Sequence, residues 1–242
     1  MTLAPTGFLH IGDNDLEYRL IGPAPVDAPT IVMLHEGLGS AALWGDFPDR
    51  LQAATGMGVF VYSRAGYGAS TPVTLPRPLD YMSREALDGL PALLDAIGFQ
   101  RGVLLGHSDG ASIAAIYAGG TGDHRVRGVV LIAPHFVVED VSVVSIAGIR
   151  QTYETTDLRS KLMRWHRDVD NAFYGWNGSL AGSRLPSMGR QRISRLHSCS
   201  RRHSPRRRRP VWDNSPDRDR QGRVLLSGRC DVDSTERALA AA

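Results

Sequence analysis

The stretch Val103-Leu104-Leu105-Gly106-His107-Ser108-Asp109-Gly110, followed by an alanine-rich run to Ala118, constrains this chain more than any other. An apolar run meets Gly-His-Ser-Asp-Gly, and helical spacing follows. The pattern reads as strand, sharp turn, helix, with a G-x-S-x-G pentapeptide on the turn. A serine at such an elbow sits in strained backbone, so its hydroxyl projects clear of the sheet. Gly106 and Gly110 leave room where strand and helix nearly touch. The N–H of Asp109, at the helix N-terminus, points where an oxyanion would form. Ser108 is therefore the candidate nucleophile, and a purely structural tight turn is the competing reading.

The flanking sequence sets this elbow in a repeating pattern. Phe8–Gly12 and Leu16–Ile21 alternate apolar and polar residues around Asp13-Asn14-Asp15, as an opening hairpin does. Thr30–Leu34 and Gly58–Tyr62 are continuous apolar runs, expected of strands buried on both faces. Helical spacing runs through Trp44, Phe47 and Leu51, and again over 84–97 through Leu87, Leu90, Leu93, Leu94 and Ile97. Val126–Pro134 forms one more strand pattern. Strands alternating with helices predict an α/β fold, a mostly parallel sheet flanked by helices. Residues 140–175 change character, with charges interleaved among Val143, Ile146, Ile149, Tyr153, Leu158, Leu162, Trp165 and Phe173. They read as helices inserted above the strand ends that carry Ser108.

Residues 1–177 resemble the α/β-hydrolase superfamily. Leu34-His35-Glu36-Gly37-Leu38-Gly39-Ser40 and Gly106-His107-Ser108-Asp109-Gly110 are similar to its small cap-bearing serine hydrolases. The resemblance implies a core over 1–136, a helical cap over 137–177, and a tail over 178–242. It implies Ser108 as nucleophile and the backbone N–H groups of Gly37 and Asp109 as the oxyanion hole, with Gly106, His107 and Gly110 forming the elbow. Glu36 stands where glycine usually follows the histidine, which a backbone donor tolerates. The implied substrate is a small molecule bearing an ester, thioester or activated carbon–carbon bond, with no cofactor and no metal.

Several residues have blander readings. His35 ends the strand before the candidate oxyanion loop and reads as structural. His107 is adjacent to Ser108 in sequence, but that position usually points elsewhere. Arg64, Gly66 and Gly68 read as a turn. Trp44, Trp165, Phe173 and Trp176 suit a core at least as well as a pocket. His166, Asp168 and Asp170 share an H-x-D-x-D spacing that diverges on a helix, so they read as a solvated face rather than a metal site.

Charge divides the chain. Residues 1–177 carry 13 basic and 19 acidic side chains, whereas 178–242 carry 15 arginines and 6 acids. All six Phe and all seven Tyr precede residue 178. The two cysteines, Cys199 and Cys230, make no disulfide framework, and nothing at the N-terminus resembles a signal peptide. No apolar run approaches the roughly 18 residues of a membrane span. A cytoplasmic setting is the expectation.

A serine nucleophile needs a base and an orienting acid, which in this fold follow the serine in chain order. The tail offers neither in recognisable form: His197 and His203 lie among Arg and Ser, and Asp213, Asp217 and Asp219 sit in a polar run. One reading is a genuine basic arm, with Arg201–Arg209 suited to phosphate backbones; only then is a nucleic acid an expected partner. The other is a displaced reading frame. Shifting each codon by one base forces tryptophan at Met188-Gly189 and glycine at Trp212-Asp213. The same shift permits Gln-Gly-Asp-Asp-Asp-Gln-Tyr-Gly-Thr over 205–213. That text resembles the segment that carries the catalytic acid in these hydrolases. A slip near Asn177 predicts that the last strands are missing or garbled, with weak or absent turnover.

Overall fold

The structure is a computed structural model that describes residues 3–136 and 140–181. The alternating hairpin pattern becomes β1 (Thr6–Ile11) and β2 (Asn14–Ile21), paired antiparallel from Thr6↔Arg19 to Ile11↔Asn14. The apolar runs become β3 (Thr30–Leu34) and β4 (Gly58–Tyr62), every residue of both being buried. The elbow strand is β5 (Gly102–His107), and the last pattern is β6 (Val126–Ile132). The sheet order is β1-β2-β4-β3-β5-β6. The β2–β4 pair is antiparallel, while β3–β4, β3–β5 and β5–β6 are parallel.

Period-two alternation explains why β3 and β4 have no polar face. Val32, Leu34 and Phe60 enter one core with Leu90, Leu93, Leu94, Ile113 and Tyr117. Ile31, Met33, Val59 and Val61 enter a second core on the other side with Ala41, Trp44 and Leu51. Helix α1 (Phe47–Thr55) covers the second side, and α4 (Asp109–Gly120) covers the first with the 81–96 segment.

That segment starts three residues before the predicted 84–97 helix and is not uniform. It runs as α2 (Tyr81–Arg84), a π-turn over Glu85–Gly89, and α3 (Leu90–Ala96). Pro91 has no N–H to give the carbonyl of Leu87 and would crowd it, so the helix widens just before the proline.

Beyond β6 lie α5 (Asp140–Thr155), α6 (Leu158–Leu162) and α7 (Val169–Ala181). Tyr153, Leu162, Val169, Phe173 and Trp176 form a third cluster against Leu38, so the helices pack on the loop after β3. Helix α7 continues four residues past Asn177, where the composition changes. Ser179 is buried there, its hydroxyl hydrogen-bonded to the carbonyls of Gly175 and Arg77. The expectations for the acid, the base, the altered frame and the arginine-rich arm fall on residues outside those described. Within the described sheet β6 is an edge, and Val129 and Val130 on it are exposed.

Candidate active site

Parallel strands β3, β5 and β6 all end at one rim, and the candidate residues collect there. Leu34 pairs with Gly106, and His107 pairs with Ile132, so the loops after the three strands begin side by side. Ser108 follows at φ 51° and ψ −115°, a conformation L-residues seldom adopt. Its N–H donates to the carbonyl of Ile132 at 2.8 Å, while its own carbonyl accepts the N–H groups of Ala111 and Ser112 at 3.0 Å. Helix α4 therefore starts directly from the strained residue.

The two glycines of the pentapeptide explain how the chain turns so tightly. A Cβ on Gly106 would lie 2.3 Å from the carbonyl oxygen of Gly110, and one on Gly110 would lie 2.1 Å from that of Leu34. Both obstacles are backbone, so no side chain fits. Asp109 opens the helix with its side chain buried, and the Tyr81 hydroxyl donates to its Oδ2 at 2.5 Å.

The loop after β3 is held from below. His35 is fully buried; its Nδ1 donates to the Glu36 carbonyl at 2.7 Å and its Nε2 accepts the Arg64 N–H at 3.1 Å. Burial and then the Arg64 guanidinium hold its pKa well below the ordinary imidazole range. With both ring nitrogens engaged, His35 is a structural neutral histidine. Arg64, read from sequence as part of a turn, is also fully buried: its guanidinium donates to the carbonyls of His35 (2.5 Å) and Glu36 (3.1 Å). Gly66 and Gly68 supply that turn's positive φ angles of 89° and 58°.

Glu36 reaches sideways to His107, with Oε2 3.5 Å from Nδ1, and the His107 ring meets Trp44 edge-on. Burial pushes the Glu36 carboxyl up, but hydrogen bonds from His107 and from the backbone, with the His107 and Arg64 charges, outweigh it and the net shift is downward. Gly37 lies under the α7 tryptophan: a Cβ there would sit 2.0 Å from Trp176 Nε1. His166 bridges the same loop to the helices, Nδ1 accepting the Gly68 N–H and Nε2 donating to the Leu38 carbonyl, each at 3.0 Å. The solvated face expected of the H-x-D-x-D residues is wrong for His166, which is buried. Asp168 accepts the Asn171 N–H, and Asp170 pairs with Arg159 and Tyr153, so the three side chains serve separate partners. Among the described residues, no group of three His, Cys, Asp or Glu is placed to hold a metal ion.

One residue at this rim escapes the sequence reading. Nε2 of His135 lies 3.0 Å from Ser108 Oγ, a hydrogen-bond distance. His135 stands three residues past β6, where Ala133-Pro134-His135-Phe136 reads only as a strand exit. Topology carried the missing signal. β6 pairs in parallel with β5, so a polar residue just past the end of β6 falls beside the one just past β5.

A sequence profile described as "alpha/beta hydrolase fold" matches residues 29–230. The chain belongs to the α/β-hydrolase-fold family. The matched span takes in residues on both sides of Asn177. Among curated proteins, it is 32% identical over 108 residues to 2-hydroxy-6-oxononadienedioate/2-hydroxy-6-oxononatrienedioate hydrolase 2 of Pseudomonas putida, covering 44% of this chain and 36% of that one. The corresponding hydrolase 1 of Dechloromonas aromatica (strain RCB) is 29% identical over 118 residues, covering 48% of this chain and 40% of the relative. The alignments thus span well under half the length of either curated relative. Among solved structures, a carboxylesterase study of Nitrososphaera gargenis superposes with a TM-score of 0.60 at 16% identity, covering 79% of this chain and 76% of that one. The enol-lactonase of Burkholderia xenovorans LB400 superposes at 0.55 with 17% identity, covering 72% of each chain. At those identities the likeness is one of fold. No helix among the described residues is long and apolar enough to cross a membrane.

Proposed function

We propose that this protein is a hydrolase with Ser108 as its nucleophile, acting on a small molecule that carries an ester, thioester or activated carbon–carbon bond. The observation that carries the reading is the conformation of Ser108: a non-glycine residue at φ 51°, between a buried parallel strand and a helix N-terminus. Strain of this kind is kept where it serves a function, because it costs about 1–3 kcal/mol per residue. In this reading the Ser108 oxygen attacks the acyl carbon, and the N–H groups of Gly37 and Asp109 receive the charge on the carbonyl oxygen. Helices α5–α7, which begin inside the expected cap over 137–177 and run on to Ala181, cover the Gly37 loop through the Trp176–Gly37 contact. The reaction needs neither metal nor organic cofactor, and a cytoplasmic setting suits it. A fluorophosphonate that forms an adduct on Ser108, with none in Ser108→Ala, supports the assignment; no adduct at Ser108 refutes it.

The same reading extends to the tail. We infer that the arginine-rich text after Asn177 comes from a displaced frame, on the strength of the two forced codons at Met188-Gly189 and Trp212-Asp213. Turnover is then expected to be weak. Resequencing the coding DNA across codons 175–182 tests this: one surplus base supports it, and an intact frame overturns it. In the latter case the match through residue 230 describes the tail as it stands.

A further inference from the structure

We propose that His135 is the general base for Ser108 in this chain, held in place by Ser112. The proposal rests on the assignment of Ser108 as nucleophile. Three observations converge on it.

Nε2 of His135 is 3.0 Å from Ser108 Oγ, inside the range over which a base takes a proton directly. The backbone is bent to achieve this. Among the described residues only Ser108 and Ala133 are non-glycine residues at positive φ, at 51° and 47°. Each closes the exit of a parallel strand, and together they turn the two loops toward each other. Such outliers gather where function holds them. The third observation is a clamp. The His135 N–H donates to Ser112 Oγ and the Ser112 hydroxyl donates to the His135 carbonyl, both at 3.0 Å. Ser112 is buried on α4, one turn after Ser108, so one rigid helix fixes both partners.

The chemistry balances with water as the one co-reactant. His135 Nε2 takes the Ser108 hydroxyl proton as Oγ bonds to the acyl carbon of an ester. The carbonyl π pair moves to the oxygen as an oxyanion. When that pair returns, the carbon–oxygen bond to the alcohol breaks and the proton on Nε2 passes to the departing oxygen. Water then attacks the acyl-serine, giving its proton to Nε2. The proton returns to Ser108 Oγ as the acid leaves. His135 is exposed, and a Ser–His pair is slow without an acid to orient the imidazole: upsetting that acid costs roughly 10⁴-fold.

The test follows the rate of Ser108 labelling by a fluorophosphonate in the full-length protein. Compared are wild type, His135→Ala, His135→Gln, and a His197→Ala/His203→Ala pair. His135 faces solvent, and glutamine preserves its bulk, so folding survives both substitutions. Labelling at Ser108 is expected to fall about 10²–10⁴-fold in both His135 variants, to recover in His135→Ala when imidazole is added, and to hold in the tail pair. Wild-type rates in both His135 variants overturn the inference while leaving Ser108 as nucleophile. Loss of labelling in the tail pair alone moves the base to the tail and overturns it too. If wild type does not label at Ser108, the nucleophile assignment itself fails and the base goes with it. Ser112→Ala tests the clamp: slower labelling restored by Ser112→Thr marks a positioning residue, and an unchanged rate removes Ser112 from the mechanism.

Discussion

Ser108 is strained, and the glycines around it make the strain possible. Gly110 meets the Leu34 carbonyl oxygen at 2.1 Å and that of His35 at 2.7 Å when a Cβ is placed on it. Gly110→Ala must push α4 off β3 or distort the turn. It is expected to cost about 1–3 kcal/mol, the usual range for overpacking, and to disturb Ser108 as well. Denaturant unfolding of the variant checks it, and a change below a few tenths of a kcal/mol contradicts the packing described. These glycines were legible in sequence because only a few residue types fit such a turn. His135 was not, because it carries no local pattern. A lone histidine after a proline acquires meaning only from the strand that lies beside its own.

Between elements, two buried histidines join the parts of the site. His35 ties β3 to the turn after β4, and His166 ties that turn and the Leu38 loop to the outer helices. Burial is the largest cause holding both pKa values below the ordinary value. The folded state then binds fewer protons than the unfolded state below about pH 6.5. Their stabilising contribution is therefore complete above that pH and is lost as pH falls through it. The expected slope is up to about 1.4 kcal/mol per pH unit for each histidine. Urea unfolding between pH 5 and 7.5 measures it. In His166→Gln, whose amide can keep both hydrogen bonds, the slope is expected to drop by one group's share. A slope identical to wild type contradicts the linkage. Strand and helix positions were readable here because burial imposes period two or 3.6 on them. His166 was misread as solvated because its spacing describes its own segment, while its burial comes from the turn after β4 and the Leu38 loop.

For the whole molecule, the sheet order, the two-sided core and the outer helices follow from alternating apolar patterns, and the family match agrees with them. The exact extent of the outer layer was less visible. Composition changes at Asn177, yet α7 runs to Ala181 with Ser179 buried, because helix continuity depends on local propensity and packing rather than on average charge. The acid expected to orient a base falls beyond the described residues, and the candidate site lies at the rim of β3, β5 and β6.

The most direct measurement is to treat the full chain with a fluorophosphonate, digest it with trypsin, and map the adduct by mass spectrometry. A serine hydrolase of this geometry gives one dominant adduct on the peptide between Arg101 and Arg125, located at Ser108 and absent from Ser108→Ala. An unmodified Ser108, or equal labelling of the alanine variant, contradicts the catalytic assignment and leaves a fold relative that binds without turning over.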